Sequence, residues 1–291
     1  MAQAQTQGYY VPHGSHWPIV GSVALFSLMI GFANLLNGAS VGPTLMALGA
    51  ALLIVMLFGW FGTVIRESLS GMYNEQVDRS FRWGMFWFIF SEVMFFGAFF
   101  GALFYVRFFA LPWLSGEGHG ILTNHELWQG WQAVWPVAAN GPAAIGGQYE
   151  IIDPWGVPAL NTLILLSSGV TVTWAHWGLK EGKRSHLIWG LVATVALGVL
   201  FLVLQAKEYI HGIHELNLTL SSGIYGSLFY MLTGFHGMHV TLGVTMLTVI
   251  LIRAIKGHFR PDNHFAFEAV AWYWHFVDVV WLGLFIFVYW L

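Results

Sequence analysis

Residues 17–36, WPIVGSVALFSLMIGFANLL, and residues 41–65, VGPTLMALGAALLIVMLFGWFGTVI, contain no Lys, Arg, Asp or Glu. Arg66 is the first formal charge in the chain. A water-soluble domain needs charged surface to stay dissolved. Uncharged runs of this length match a bilayer core about 30 Å thick. Inside hydrocarbon a backbone must satisfy its own donors and acceptors, so each run is expected to be a helix. Asn37 to Ser40 reads as a tight turn, which makes the pair an antiparallel hairpin.

Working outward from that hairpin, the same pattern recurs at Trp83–Leu111, Val157–Leu179, His186–Tyr209, Ile224–Ile252 and Ala269–Leu291. With Trp17–Leu36 and Val41–Ile65 these make seven expected spans, an all-α polytopic membrane protein. The expected organisation is an N-terminal tail and two-helix hairpin over 1–66, a cytoplasmic link over 67–82, and a five-helix bundle over 83–291. That bundle carries a long periplasmic link at 112–156, rich in Gly, Pro and Trp and read as a surface cap. Met1–His16 has no Lys or Arg and reads as a Gln-containing tail, not a signal peptide.

Composition agrees. Hydrophobic residues make up 57% of the chain and charged residues 9%, and the mean hydropathy is +0.66. The formal charge of −3 predicts no nucleic-acid partner. With no Cys, disulfides, iron–sulfur clusters and thiolate-bound metals are excluded. Nine of the eleven Lys and Arg fall in alternate links: Arg66, Arg79 and Arg82; Lys180, Lys183 and Arg184; Arg253, Lys256 and Arg260. Positive links stay on the cytoplasmic side, so the N-terminus is expected inside and the C-terminus outside. A retinal protein needs a lysine in its last span, and Ala269–Leu291 has none.

Ionisable groups at membrane depth are costly and mark candidate sites. Glu92 lies about 14 Å along its helix from Trp83 at 1.5 Å per residue. It reads either as a proton-relay or lipid-contact carboxyl, or as an acid held by a neighbouring helix. His236 and His239 share a helix face and could ligate a metal or haem. The favoured reading is that they hydrogen-bond between helices. Glu268, His275 and Asp278 also share a face, read as a polar network before a metal site. Glu208, His211 and His214 cluster near the outer end of the fifth span, with little claim to a metal. Arg66 and Arg253 sit at inner helix ends, where guanidinium groups anchor the helix or pair with lipid phosphate.

Several long runs then resemble one family in order. They are Arg82-Trp83-Gly84-Met85 to Phe90-Ser91-Glu92-Val93-Met94-Phe95-Phe96, Thr173-Trp174-Ala175-His176, Leu204-Gln205-Ala206-Lys207-Glu208-Tyr209, Gly234-Phe235-His236-Gly237-Met238-His239-Val240, and Phe267-Glu268-Ala269 through Trp272-Tyr273-Trp274-His275-Phe276-Val277-Asp278-Val279-Val280-Trp281. The chain resembles cytochrome c oxidase subunit III from about Val64 to Leu291.

The resemblance implies a two-helix and a five-helix group around a V-shaped cleft filled with phospholipid. It implies a non-redox accessory subunit that packs on subunit I of a proton-pumping oxidase and supports proton uptake and stability during turnover. Haems and copper would lie in subunits I and II, and this chain would hold no catalytic centre, metal or redox cofactor. Trp60, Arg66, Glu92, Arg253 and Lys256 match lipid-contact positions. Glu208, His236, His239, Glu268, His275 and Asp278 form the expected structural polar network. Tyr73 departs from the family pattern, since relatives often carry a His there. Further expected partners are a small extra subunit, a cytochrome c donor or another respiratory complex. The lack of Cys and the long link point to a bacterial inner membrane. Two other function classes compete: an autonomous transmembrane metalloenzyme built on Glu92, His236, His239, His275 and Asp278, and a transporter built on Glu92.

Overall fold

The computed structural model describes residues 10–11, 14–136 and 148–291. Among them are seven helices long and apolar enough to cross a membrane, and no β-strand. The chain divides into two compact units, Met1–Trp83 and Gly84–Leu291.

The first unit is built on α1 (Trp17–Leu36) and α2 (Gly42–Leu69). Pro18 and Pro43 sit in the first turns, where a missing N–H leaves no bond unmade. Gly38 takes φ +73° and closes the turn between them. The two helices meet backbone to backbone. A Cβ on Gly31 would stand 2.6 Å from the Met46 nitrogen, and one on Gly49 2.7 Å from that of Leu28. Such close approach is how helices associate in lipid, where hydrophobic burial gives no preference between neighbour and solvent. In the last turn of α2, Glu67 accepts hydrogen bonds from Tyr10 (3.1 Å) and Tyr73 (2.7 Å).

Helix α3 spans Glu75–Tyr105, so it begins at Glu75 and not at Trp83. The reason is local. Asn74 Oδ1 accepts the Val77 N–H, Glu75 and Asp78 face the positive end of the helix, and Arg82 pairs with Asp78 at 2.7 Å. A polar helical turn carries no apolar signal, so from sequence this stretch reads as a link. The helix continues through a π-helical turn at Val106–Ala110 into α4 (Leu111–Leu114).

The described part of the long link contains a 3₁₀ turn at Gly118–Gly120 and α5 (Ile121–Leu127). Asn124 Nδ2 donates to the carbonyls of Leu114, Trp128 and Trp131, tying the segment together. Tyr149 stacks on Tyr225 with centroids 6.1 Å apart, and the Glu150 N–H donates to the Leu216 carbonyl. These contacts tie the end of the link to the turn after the helix Arg184–His214 and to the helix Gly223–Ile255; residues 137–147 of the link lie outside those described.

The second unit is dominated by α6 (Val157–Lys180), α7 (Arg184–His214), α8 (Gly223–Ile255) and α9 (Phe265–Leu284), the last ending in a π-helical stretch Phe285–Trp290. Helix α7 packs on α6 and α8, and α9 packs on both α8 and α6. The centre of the unit is aromatic. Trp274, Trp281 and Tyr273 are fully buried. The two indoles donate to α6, Trp274 to Ser168 Oγ and Trp281 to Thr162 Oγ1, both at 2.9 Å. Gly198 of α7 and Gly243 of α8 make room for the Trp274 ring, since a Cβ at either would meet it at 2.8 Å. Within this unit α3 docks through large rings, with Phe95 against Phe235 and Phe96 against Phe276.

Candidate functional site

The polar groups within the spans resolve into several separate clusters. The longest-range one pairs Glu92 of α3 with His239 of α8, Oε2 to Nε2 at 2.9 Å. The other ring nitrogen, Nδ1, faces the Phe235 carbonyl at 2.6 Å. A carbonyl only accepts, so Nδ1 carries the hydrogen. A carboxylate also only accepts, so the Glu92–His239 contact needs a second proton. Either the carboxyl O–H donates to Nε2, or a doubly protonated ring donates to the carboxylate. Both arrangements are net neutral, which is what a low-dielectric site favours. The rings of Phe95, Phe96 and Tyr273 surround the imidazole.

His236 lies one turn earlier on α8 and faces elsewhere. Its Nε2–H donates to the Val277 carbonyl of α9 at 3.2 Å, and the ring lies against Phe201 and Trp281. The i,i+3 pair therefore serves two different helix interfaces and does not converge on one ligand position. Spacing alone showed that the two rings share a face; the neighbours that each one meets are a tertiary fact.

Glu208 is 2% exposed, and its Oε1 accepts from Tyr289 Oη at 2.6 Å and Gln205 Nε2 at 3.1 Å. Asn161 Nδ2 of α6 donates to Gln205 Oε1 at 3.4 Å. The carboxyl thus joins α7 to the C-terminal π-helical stretch, and Gln205 extends the network to α6. Tyr289 is the residue that sequence reading missed, because it stands 81 positions from Glu208. His211 pairs with Glu215 at 3.0 Å on the exposed end of α7.

The expected grouping of Glu268, His275 and Asp278 divides. His275 Nδ1 lies 3.8 Å from Asp278 Oδ2, and its Nε2 lies 3.3 Å from Thr173 Oγ1 of α6. Asp278 is 6% exposed and reaches the gap left by Gly169, where a Cβ would come within 2.6 Å of its Oδ2. Glu268 turns instead toward His176 of α6 (3.5 Å) and His264 (3.3 Å). From sequence, His176 stands only within the run Thr173–His176 and His264 is not among the candidates. The ligand atoms of His176, His264 and Glu268 all lie within 4.8 Å of one another, a geometry able to hold a metal ion.

Near the end of α8, Arg253 is buried with its Cζ 4.7 Å from the centre of the Phe259 ring. Lys256 is exposed one turn further on. Arg66 is exposed and donates to Thr63 Oγ1 at 3.2 Å. Trp60 stacks on Phe61 with its ring 5.7 Å away. Beyond the end of α6, the Lys183 ammonium sits 2.7 Å from Glu181, and this contact holds the Glu181 carboxyl below the usual range.

A sequence model described as cytochrome c oxidase subunit III matches residues 7–115 and 132–291. The chain is 41% identical over 287 residues to cytochrome c oxidase subunit 3 of Neotragus moschatus, covering 98% of each. It is 41% identical to the protein of that name from Cyprinus carpio and 42% identical to that from Gadus morhua, over the same share of each chain.

Proposed function

The chain belongs to the cytochrome c oxidase subunit III family, and from that premise we propose that it is the non-redox, lipid-binding accessory subunit of a proton-pumping oxidase. As a member it is a multi-pass membrane protein of an oxidase complex, with other oxidase subunits as partners. In the proposed arrangement it packs on subunit I. Haems and copper reside in subunits I and II, and this chain supports proton uptake and keeps the complex stable during turnover. Its setting is a bacterial plasma membrane with the N-terminus in the cytoplasm, in line with the alternation of positive links.

One observation carries the reading. Glu92 joins α3 to α8 through His239, Glu208 joins α7 to the C-terminal π-helical stretch through Tyr289, and Asp278 of α9 lies against Gly169 of α6. A redox metal needs several ligands converging on one point, and these acids are spread among three interfaces. Their chemistry is that of structural joints. Trp60, Arg66, Arg253 and Lys256 are the proposed phospholipid contacts, with guanidinium groups offering paired donors to phosphate. The cap formed by the 112–156 link is proposed to face subunit II, a cytochrome c donor or another respiratory complex.

Purification in mild detergent through a tag on this chain tests the proposal. The expected result is co-purification of two larger subunits with haem and copper absorption. Recovery of this chain alone, with oxidase activity intact in the untagged fraction, overturns it.

A further inference from the structure

Three ionisable side chains from α6 and the start of α9 converge on one point. His264 precedes the first turn of that helix, Glu268 is one turn into it, and His176 comes from the last turns of α6. Nε2 of His176 and Nε2 of His264 are buried and make no hydrogen bond among the described residues. Both face the same oxygen, Oε1 of Glu268, at 3.5 and 3.3 Å.

Without a cation this arrangement needs one extra proton held between His264 and Glu268. Nδ1 of His264 lies 3.2 Å from the Arg260 carbonyl and donates to it. That bond fixes the tautomer and leaves the Nε2 lone pair aimed at a carboxylate oxygen, which is also a lone pair. One proton between them would satisfy His264, with neutral His176 donating its Nε2–H to the same oxygen. A cation at the centre answers all three groups together. Metal-ligating histidines characteristically donate their other N–H to a carbonyl, as His264 does here.

We propose that His176, His264 and Glu268 bind a zinc-class divalent cation that staples the inner end of α6 to the start of α9. Two imidazoles and one carboxylate form a donor set used by zinc with an open fourth position. Zinc bonds of roughly 2.0–2.2 Å place tetrahedral ligand atoms about 3.4 Å apart. The three atoms lie within 4.8 Å of one another, so closure needs shifts of about an ångström. Lys180, one turn past His176, opposes any cation held by charge alone. Nitrogen donation therefore favours a transition metal over magnesium or calcium, which prefer oxygen. Such an ion plays no part in electron transfer, because Zn²⁺ has no redox chemistry.

The test uses the whole oxidase complex, stripped with a chelator and equilibrated with Zn²⁺ at fixed free concentration. Wild-type complex is expected to hold one more zinc ion per complex than the E268Q or H264Q complex. Zinc is also expected to raise the melting temperature of the wild type alone. Equal stoichiometry in wild type and both variants, with haem spectra showing intact assembly, overturns the proposal. Should neither variant assemble, anomalous diffraction at the zinc edge from zinc-soaked wild-type crystals decides. A peak among the three side chains supports the site, and none there refutes it.

Discussion

Glu92 and His239 are separated by 147 positions, yet each completes the other. Removing one leaves a buried group without a partner, at a cost of about 1–3 kcal/mol. Glu92→Leu and His239→Leu are each expected to lower the melting temperature of the complex. Because both act on one contact, the double variant should lose less than the sum, by about 0.5–3 kcal/mol. Strict additivity in the double-mutant cycle would show that the pair is not coupled. Both residues were legible from sequence as costly membrane groups. Their partnership was not, since nothing in the order of residues says which face of α3 meets α8.

At the scale of the element, small residues set how closely helices approach. A Cβ on Gly190 would stand 2.9 Å from both the Ala175 nitrogen and the Thr171 carbonyl oxygen, and neither can move without the α6 backbone. Gly190→Val is therefore expected to force α6 and α7 apart and destabilise by about 1–3 kcal/mol, read as a fall in melting temperature. The cap responds to pH by a different route. Burial pushes the Tyr149 phenol up to about 12. A raised value in the folded state means the contribution is intact below the ordinary tyrosine value of 10 and is lost as pH rises toward 12. Hydrogen exchange in residues 148–156 is expected to accelerate above about pH 10. Tyr149→Phe should abolish that alkaline step, and an unchanged profile in the variant would assign it elsewhere. The helical character of these elements was plain from their hydropathy. The start of α3 at Glu75 was hidden, because its first turns are polar and solvated.

Across the whole molecule, wide apolar faces of α2 and α3 remain exposed, including Ile54, Phe58 and Phe61 on α2 and Phe86, Phe90 and Met94 on α3. Lipid or neighbouring subunits must cover them. Arg253→Ala is expected to reduce the phospholipid retained by the purified complex, as counted by mass spectrometry of extracted lipid. Unchanged lipid content would remove Arg253 from the proposed lipid contacts. Glu92→Ala is expected to shorten the turnover lifetime of the complex while leaving its initial oxygen consumption near the wild-type rate. An immediate loss of nearly all activity in an assembled complex would assign Glu92 a direct part in the chemistry.

The sequence by itself determined the solvent of this protein, the number of its spans and the family to which it belongs. Those follow from where charge is absent and from long motifs read in order, and both are properties of contiguous residues. Tertiary structure alone decided the pairings. Glu268 shares a helix face with His275 and Asp278, yet it meets His176 of α6, because partners in a helix bundle are fixed by the rotation and depth at which separate helices pack. Contiguous sequence carries the 3.6-residue period of each helix but not the angle at which that helix presents itself to the next.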